Sequence, residues 1–380
     1  MNFEFATASR IVFGKGKSNL IPKIWKSFGK RPLFITGHST LKNSSVAEII
    51  STHEKVIVSQ EPSTHLIEEI SEIARKSKCD IIISIGGGSV IDTGKAVAAI
   101  AANSKKLLNY LEVIGMGESL ENNPIPFIAV PTTSGTGSEV TKNAVVFSPE
   151  HKVKISLRDN RMIPKVAIVD PDLTHSLPPN LTAYTGIDAL TQCLEPYVSH
   201  MATPLTDPIC LTGIKRISRA LLKAYTNGED SNAREDMALG SLFGGLALAN
   251  AKLGAVHGFA GPIGGMFSAP HGAICAALLL PVIEVNIHAL LVREPDHPSL
   301  AKYDQIGKEI TGNNNSNHTD LMDWLSTTFQ TLNIPRLSDF GVSKSDFSSI
   351  VDKSTKASSM KGNPIALTKT ELMRILDQAF

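Results

Sequence analysis

Cysteine is scarce: the chain holds 4 in 380 residues, at Cys79, Cys193, Cys210 and Cys275, and no two stand in a C-x-x-C spacing. That argues against a disulfide framework and against a cysteine zinc site, and it fits reduced thiols in the cytoplasm. Charge of one sign is equally absent. Lys and Arg number 37 against 36 Asp and Glu, a net charge of +1. Nothing in that balance pulls the chain toward nucleic acid or anionic lipid. Long apolar runs are missing too. The longest, Ala273 to Ile283, falls short of the ~20 residues a membrane helix needs. Met1 to Arg10 has no apolar signal core, so no targeting segment is expected. Internal repeats and low-complexity segments are absent. What is present is 42% hydrophobic and 19% charged residues, enough to bury a large core.

The length predicts about two domains, and the texture of the chain divides accordingly. Short apolar strands alternate with helical patterns up to residue 178. The strands center on Ile11-Val12-Phe13, Leu33-Phe34-Ile35, Val56-Ile57-Val58, Ile81 to Ile85, Phe127 to Val130 and Val166 to Val169. Such alternation predicts an α/β domain with a mostly parallel sheet and ligands at the strand carboxyl ends. After Pro178-Pro179 strand patterns nearly vanish. Long helical windows follow at 182–199, 208–225 and 233–253. The expected organization is therefore an α/β nucleotide-binding domain over 1–178 and an all-α domain over 179–380.

The chain is organized around Asp80 to Lys95. Ile81 to Ile85 is a buried strand, Gly86-Gly87-Gly88 a turn, and Ser89 the expected N-cap of a helix through Ile100. A glycine turn that opens a helix offers free N–H groups and a favorable dipole to phosphate. A tight turn without a ligand is the alternative. The spacing matches neither the Walker loop nor the full G-x-G-x-x-G fingerprint, which fails at Ile91.

Two further stretches carry chemistry. In Gly186 to Glu195, Asp188 and Gln192 lie four apart and share a helix face. Flanked by Ile187, Leu190 and Leu194, Asp188 is expected to be partly buried and to need a metal, a cation or a capping role. In His257 to Gly272, two histidines stand among glycines and apolar residues. A single core histidine is usually satisfied by a carbonyl. Two of them downstream of a buried aspartate point toward a metal such as iron or zinc.

Taken together in this order, these stretches resemble the iron-containing (group III) alcohol dehydrogenases. The resemblance rests on Gly86 to Ser89 with Asp92 and Lys95, Pro131 to Glu139, Asp170 to Thr174 with Leu177-Pro178, Gly186 to Glu195, and His257 to Gly272. It covers nearly the whole chain, the last ~80 residues being least distinctive. It implies an NAD(P)-dependent alcohol dehydrogenase or aldehyde reductase. Gly86, Gly87, Gly88, Ser89 and Asp92 would then serve the cofactor pyrophosphate, and Thr132, Thr133 and Ser138 the nicotinamide side. Lys154 and Leu173 would contact the ribose or ring. Asp188, His257 and His271 would hold Fe2+ or Zn2+ and carry catalysis. The substrate would be a small alcohol or aldehyde, its pocket walled near Phe147, Phe259 and Phe267. A cytoplasmic homodimer is expected by analogy, with no nucleic-acid or membrane partner.

Two positions depart from the family pattern. Gln192 stands where a histidine ligand is usual, and as a neutral amide it is a weaker fourth ligand. Gly261 stands where a second histidine follows His257. A metal-free maleylacetate-reductase-like enzyme, or a nucleotide-binding protein without catalysis, is the alternative these departures leave open. Cofactor choice follows from Gly37, His38 and Ser39 after the second strand. A carboxylate at that turn would bond a ribose hydroxyl and repel a 2′-phosphate. Its absence, with donors on Ser39 and His38, predicts NADP(H) over NAD(H).

Overall fold

The structure, a computed structural model, describes residues 2–380. The chain divides into two compact units, Ala6–Ser176 and Leu177–Phe380, residues 2–5 belonging with the second.

In the first unit, eight strands form in chain order: β1 (Arg10–Phe13), β2 (Pro32–Thr36), β3 (Glu54–Ile57), β4 (Ile81–Gly86), β5 (Phe127–Pro131), β6 (Asn143–Ser148), β7 (Val153–Arg158) and β8 (Val166–Val169). Six make one sheet in the order β1-β8-β5-β4-β2-β3, every pairing parallel. This is the expected α/β class. Strand alternation explains why the runs are apolar throughout. Leu33, Ile35, Ile82 and Ala129 face one buried layer; Phe34, Ile81, Ile83, Ile85, Ile128 and Val130 face the other. Helices α1 (Ile21–Trp25) and α2 (Ser44–Ile50) cover the second layer. Helices α3 (Thr64–Lys76), α4 (Gly88–Ala101) and α5 (Leu107–Tyr110) cover the first. A sheet covered on both faces needs apolar side chains on both. Strands β6 and β7 form a separate antiparallel hairpin, Asn143 opposite Arg158 and Ser148 opposite Val153, which the strand patterns did not anticipate.

The second unit is helical: α6 (Pro179–Val198), α7 (Thr206–Thr226), α8 (Ser231–Ala251), α9 (Ala255–Met266), α10 (His271–Arg293), α11 (Pro298–Thr311), α12 (His318–Thr331), α13 (Phe347–Ser354) and α14 (Lys369–Ala379). Helix α6 is buried all round from Gly186 to Val198, as a helix at the center of a bundle must be. Glycines allow its close packing. A Cβ at Gly186 would come within 2.4 Å of Leu221 on α7, and one at Gly244 on α8 within 3.1 Å of Gln192. Helix α10 is longer than its apolar run suggested. By length and composition it could cross a membrane, yet 78% of its most apolar window is buried inside the protein.

Candidate active site and metal centre

The glycine turn lies at the carboxyl edge of the parallel sheet. Register sets this edge: Thr36 pairs with Ile85, and Gly86 with Pro131. Helix α4 begins at Gly88 with Gly87 as N-cap and no side-chain cap bond. Ser89 is therefore not the cap; it sits within the first turn, because Gly87 already supplies the extended cap conformation (φ −73°, ψ −176°). The uncapped helix start leaves N–H groups available to an anion. None of the three glycines has positive φ; they are needed for close approach. A Cβ at Gly86 would meet Val90 at 2.6 Å, one at Gly87 would meet Thr133 at 3.2 Å, and one at Gly88 would meet Thr136 at 2.7 Å. Thr132 donates its N–H to Gly86 O at 3.0 Å. Thr132 and Thr133 thus lie beside the turn.

Gly37 follows β2 next to the same turn. Thr36 and Thr40 hydroxyls both donate to Ile85 O, at 3.0 and 3.3 Å. His38 and Ser39 between them are exposed, and a Cβ at Gly37 would meet Val90 Cγ2 at an ordinary 3.7 Å.

The remaining cofactor candidates are engaged within the protein. Asp92 accepts from the Ser138 hydroxyl and, at 2.9 Å, from Val145 N. Lys95 Nζ, fully enclosed, lies 2.7–3.0 Å from Ser138 O and Oγ, Thr141 Oγ1 and Asn143 O. Asp92, Lys95 and Ser138 therefore anchor the segment leading into β6 onto α4. Lys154 pairs with Glu61 at 2.7 Å. Leu173 packs into the sheet core at 6% exposure. Phe147, expected near the substrate pocket, lies on β6 in the first unit. Phe259 is fully buried in the helical core, which leaves it no surface to offer a substrate.

In the second unit, three of the residues singled out for metal converge. Asp188 comes from α6, His257 from the first turn of α9, and His271 is the first residue of α10. His257 Nε2 lies 3.3 Å and His271 Nε2 3.8 Å from Asp188 Oδ1. Asp188 Oδ1 is buried yet has no hydrogen-bond partner, and the same holds for Gln192 Oε1 one turn later. Orphaned acceptors of this kind are costly unless something else binds them. The site holds a fourth donor that sequence reasoning passed over. Cys275 Sγ lies 3.6 Å from His271 Nε2 and 3.9 Å from His257 Nε2. All four donor atoms fall within 4.8 Å of one another. The signal was there: Cys275 stands four residues after His271, the spacing that puts two side chains on one helix face.

Behind this cluster lies a buried polar chain. Glu195 Oε2 accepts from His257 Nδ1 at 2.7 Å, and its Oε1 accepts from Val256 N at 2.7 Å. Asn363 Oδ1 accepts from Ala255 N at 3.1 Å and is held by Asn286. Two orphan donors at the start of α9 are satisfied in this way, and His257 presents Nε2 to the cluster. Burial pulls the His257 imidazolium down, but Cys275, Asp188 and Glu195 around it outweigh burial and hold it well above the usual histidine range. Burial works against the Asp188 charge, yet the two imidazoles hold its carboxyl below the usual range. At Gly261 a Cβ would meet nothing within 4 Å, so the place of the missing histidine is open.

The donor set fits a divalent metal: imidazoles, a carboxylate and a thiol are ligands of zinc and iron. Comparison with known proteins agrees. A family model described as iron-containing alcohol dehydrogenase matches residues 8–171. A second, described as Fe-containing alcohol dehydrogenase family, C-terminal, matches residues 182–380. The chain is 33% identical to 1,3-propanediol dehydrogenase of Citrobacter freundii, covering 100% of this chain and 99% of that one. It is 31% identical to NADPH-dependent butanol dehydrogenase of Clostridium saccharobutylicum, covering 98% and 97%. The solved structure of an alcohol dehydrogenase from Oenococcus oeni superposes with a TM-score of 0.89 at 32% identity, covering 100% of both chains.

Proposed function

The chain belongs to the iron-containing alcohol dehydrogenase family, and from that premise we propose a dehydrogenase of small alcohols that prefers NADP(H) and holds a divalent metal at Asp188, His257 and His271. It is an NAD(P)-dependent alcohol dehydrogenase, interconverting an alcohol and its carbonyl compound. The observation that carries the metal assignment is the buried Asp188 Oδ1, left without a hydrogen bond beside two imidazole nitrogens.

The chain's own residues do the following. Gly87, Gly88 and Ser89 bring main-chain N–H groups to the pyrophosphate at the start of α4. Thr132 and Thr133 border the turn on its other side. Glu195 accepts the His257 Nδ1 proton and so keeps Nε2 turned toward Asp188. The nicotinamide supplies the hydride chemistry. Fe2+ or Zn2+, when bound, supplies Lewis-acid polarization of the substrate oxygen. Asp188, at 2% side-chain exposure, contributes a negative charge that water does not screen. His271, at 39%, is the exposed member and marks the flank open to a substrate. A metal-free reductase has less support, because four donors already converge where such an enzyme needs none.

Cofactor preference rests on Gly37 with exposed His38 and Ser39. In side-by-side assays with short-chain aldehydes, kcat/KM is expected to favor NADPH. Gly37→Asp, which the 3.7 Å clearance to Val90 admits, should move the preference toward NADH by ~10-fold or more, a cost of ~1.4 kcal/mol for one like-charge contact with the 2′-phosphate. Equal or better use of NADH by the unaltered protein would overturn the assignment. Aldehyde turnover with neither cofactor would overturn the dehydrogenase reading itself.

We also place the protein in the cytoplasm, as a homodimer. All four cysteines are free, which suits a reducing compartment. Strand β1 is an edge of the sheet, hydrogen-bonded on one side to β8 alone; its other side is available to a second copy. Sedimentation should give twice the chain mass, and a monomer at micromolar concentration would sink this.

A further inference from the structure

We infer that Cys275 is the fourth protein ligand of the metal, taking the role that Gln192 has lost, so that the centre is an Asp-His-His-Cys site. The inference rests on the metal reading above and goes beyond it by assigning a thiolate ligand, and with it a preference for zinc. Three observations meet. The first is distance. Zinc bonds of ~2.0–2.2 Å to nitrogen or oxygen and ~2.3 Å to sulfur, at tetrahedral angles, separate the donors by ~3.3–3.7 Å. The four separations around this cluster are 3.3 Å and 3.8 Å to Asp188 Oδ1 and 3.6 Å and 3.9 Å to Cys275 Sγ. Four donors from three helices are thus spaced as edges of one coordination polyhedron.

The second observation is the unmet demand at the centre. Asp188 is 2% exposed and its Oδ1 has no hydrogen-bond partner. A buried thiol with no metal has no reason to stand in a shell of three ionizable groups, whereas a thiolate bound to a cation does. The third is the competing donor. Gln192 Oε1 is also unpaired, but a neutral amide oxygen is a poor ligand for zinc or iron beside a thiolate. Cys275 and His271 are one helical turn apart on α10, as Gln192 and Asp188 are on α6. The donor absent from one helix is supplied from another. Asp188, His257, His271 and Cys275 would hold the ion, the Cys275 thiol giving up its proton to solvent on coordination, and the ion would supply Lewis-acid polarization of a substrate oxygen.

Cobalt tests this. The full-length protein, stripped and reloaded with Co2+, should bind about one ion per chain and show the intense near-ultraviolet absorption of a thiolate–cobalt bond. Q192A should keep that band. C275S should lose it and bind zinc more than ~100-fold more weakly in chelator competition, since loss of a mere outer partner already costs 10–100-fold. If C275S does not fold, the spectrum of the unaltered protein still decides. One cobalt per chain without the thiolate band would overturn the Cys275 assignment and leave the metal reading standing. Failure to bind cobalt, zinc or iron at all would overturn both.

Discussion

His271→Ala is expected to lower kcat by ~10²–10⁴, because Lewis-acid assistance is worth several kcal/mol and each 1.4 kcal/mol is a factor of ten. Dinucleotide affinity should stay within a few-fold. The reason lies in where the parts sit. His271 belongs to Leu177–Phe380, whereas Gly86 to Ser89, Thr132 and Thr133 belong to Ala6–Ser176. The substitution should also be tolerated by the fold. His271 is the first residue of α10, beyond the buried stretch that starts at Ala273, and its side chain is partly exposed. Removing it opens no core cavity of the kind that destabilizes. Steady-state kinetics and cofactor fluorescence titration, run on the same preparation, separate the two effects. Full turnover by the variant would end the metal mechanism. A parallel loss of cofactor affinity would show that His271 acts on dinucleotide binding instead.

Lys95→Met should destabilize the protein by ~3–5 kcal/mol, the range for breaking a buried ion pair from one side. The side chain of Lys95 is 0% exposed, and its ammonium lies 3.7 Å from Asp92 Oδ1. Methionine keeps the length and apolar body of the stem but removes the ammonium that donates to Thr141 Oγ1 and Asn143 O and leaves Ser138 O only the longer 3.3 Å bonds from Thr141. Asp92 would be left as an uncompensated charge against the start of the β6–β7 hairpin. Burial pulls the Lys95 ammonium below its usual range against the pull of Asp92 and Glu139. Burial likewise pushes the Glu139 carboxyl up to about 7. The two groups share one enclosed space, so losing the lysine also removes a charge that favors ionized Glu139. In a thermal melt the first unit should unfold ~6–20 °C lower, at ~2–4 °C per kcal/mol for a unit of its size. A shift under ~2 °C would mean that the hairpin segment is held by something other than this ammonium.

Much of this was open to reading from the chain. The strands of the parallel sheet announce themselves because both faces are covered, which makes Ile81 to Ile85 apolar without alternation. The donor positions Asp188, His257 and His271 were visible as polar groups in apolar helical surroundings. What stayed hidden required tertiary placement. Glu195 meets His257 across 62 positions, and Asn363 meets Ala255 across 108; no local spacing predicts either. Cysteine spacing gives Cys275 no partner, because the group it meets is an imidazole one turn away, His271. The β6–β7 hairpin is hard to read because only β6 carries an apolar run, Ala144 to Phe147, while its partner β7 alternates Lys154, Ser156 and Arg158 with apolar residues and does not resemble the buried strands. Ser89 failed as a cap because a preceding glycine reached the cap conformation first.

Glu195 joins two tasks that are usually separate. One oxygen closes the first turn of α9, and the other steers the imidazole carried on that same turn. Fraying at the head of this helix is therefore also a loss of aim: when Val256 N lets go of its carboxylate, the ring of His257 is released with it. The polar chain from Asn363 through Asn286 to Tyr303 ties the same helix head, through Ala255 N, into the buried helical core.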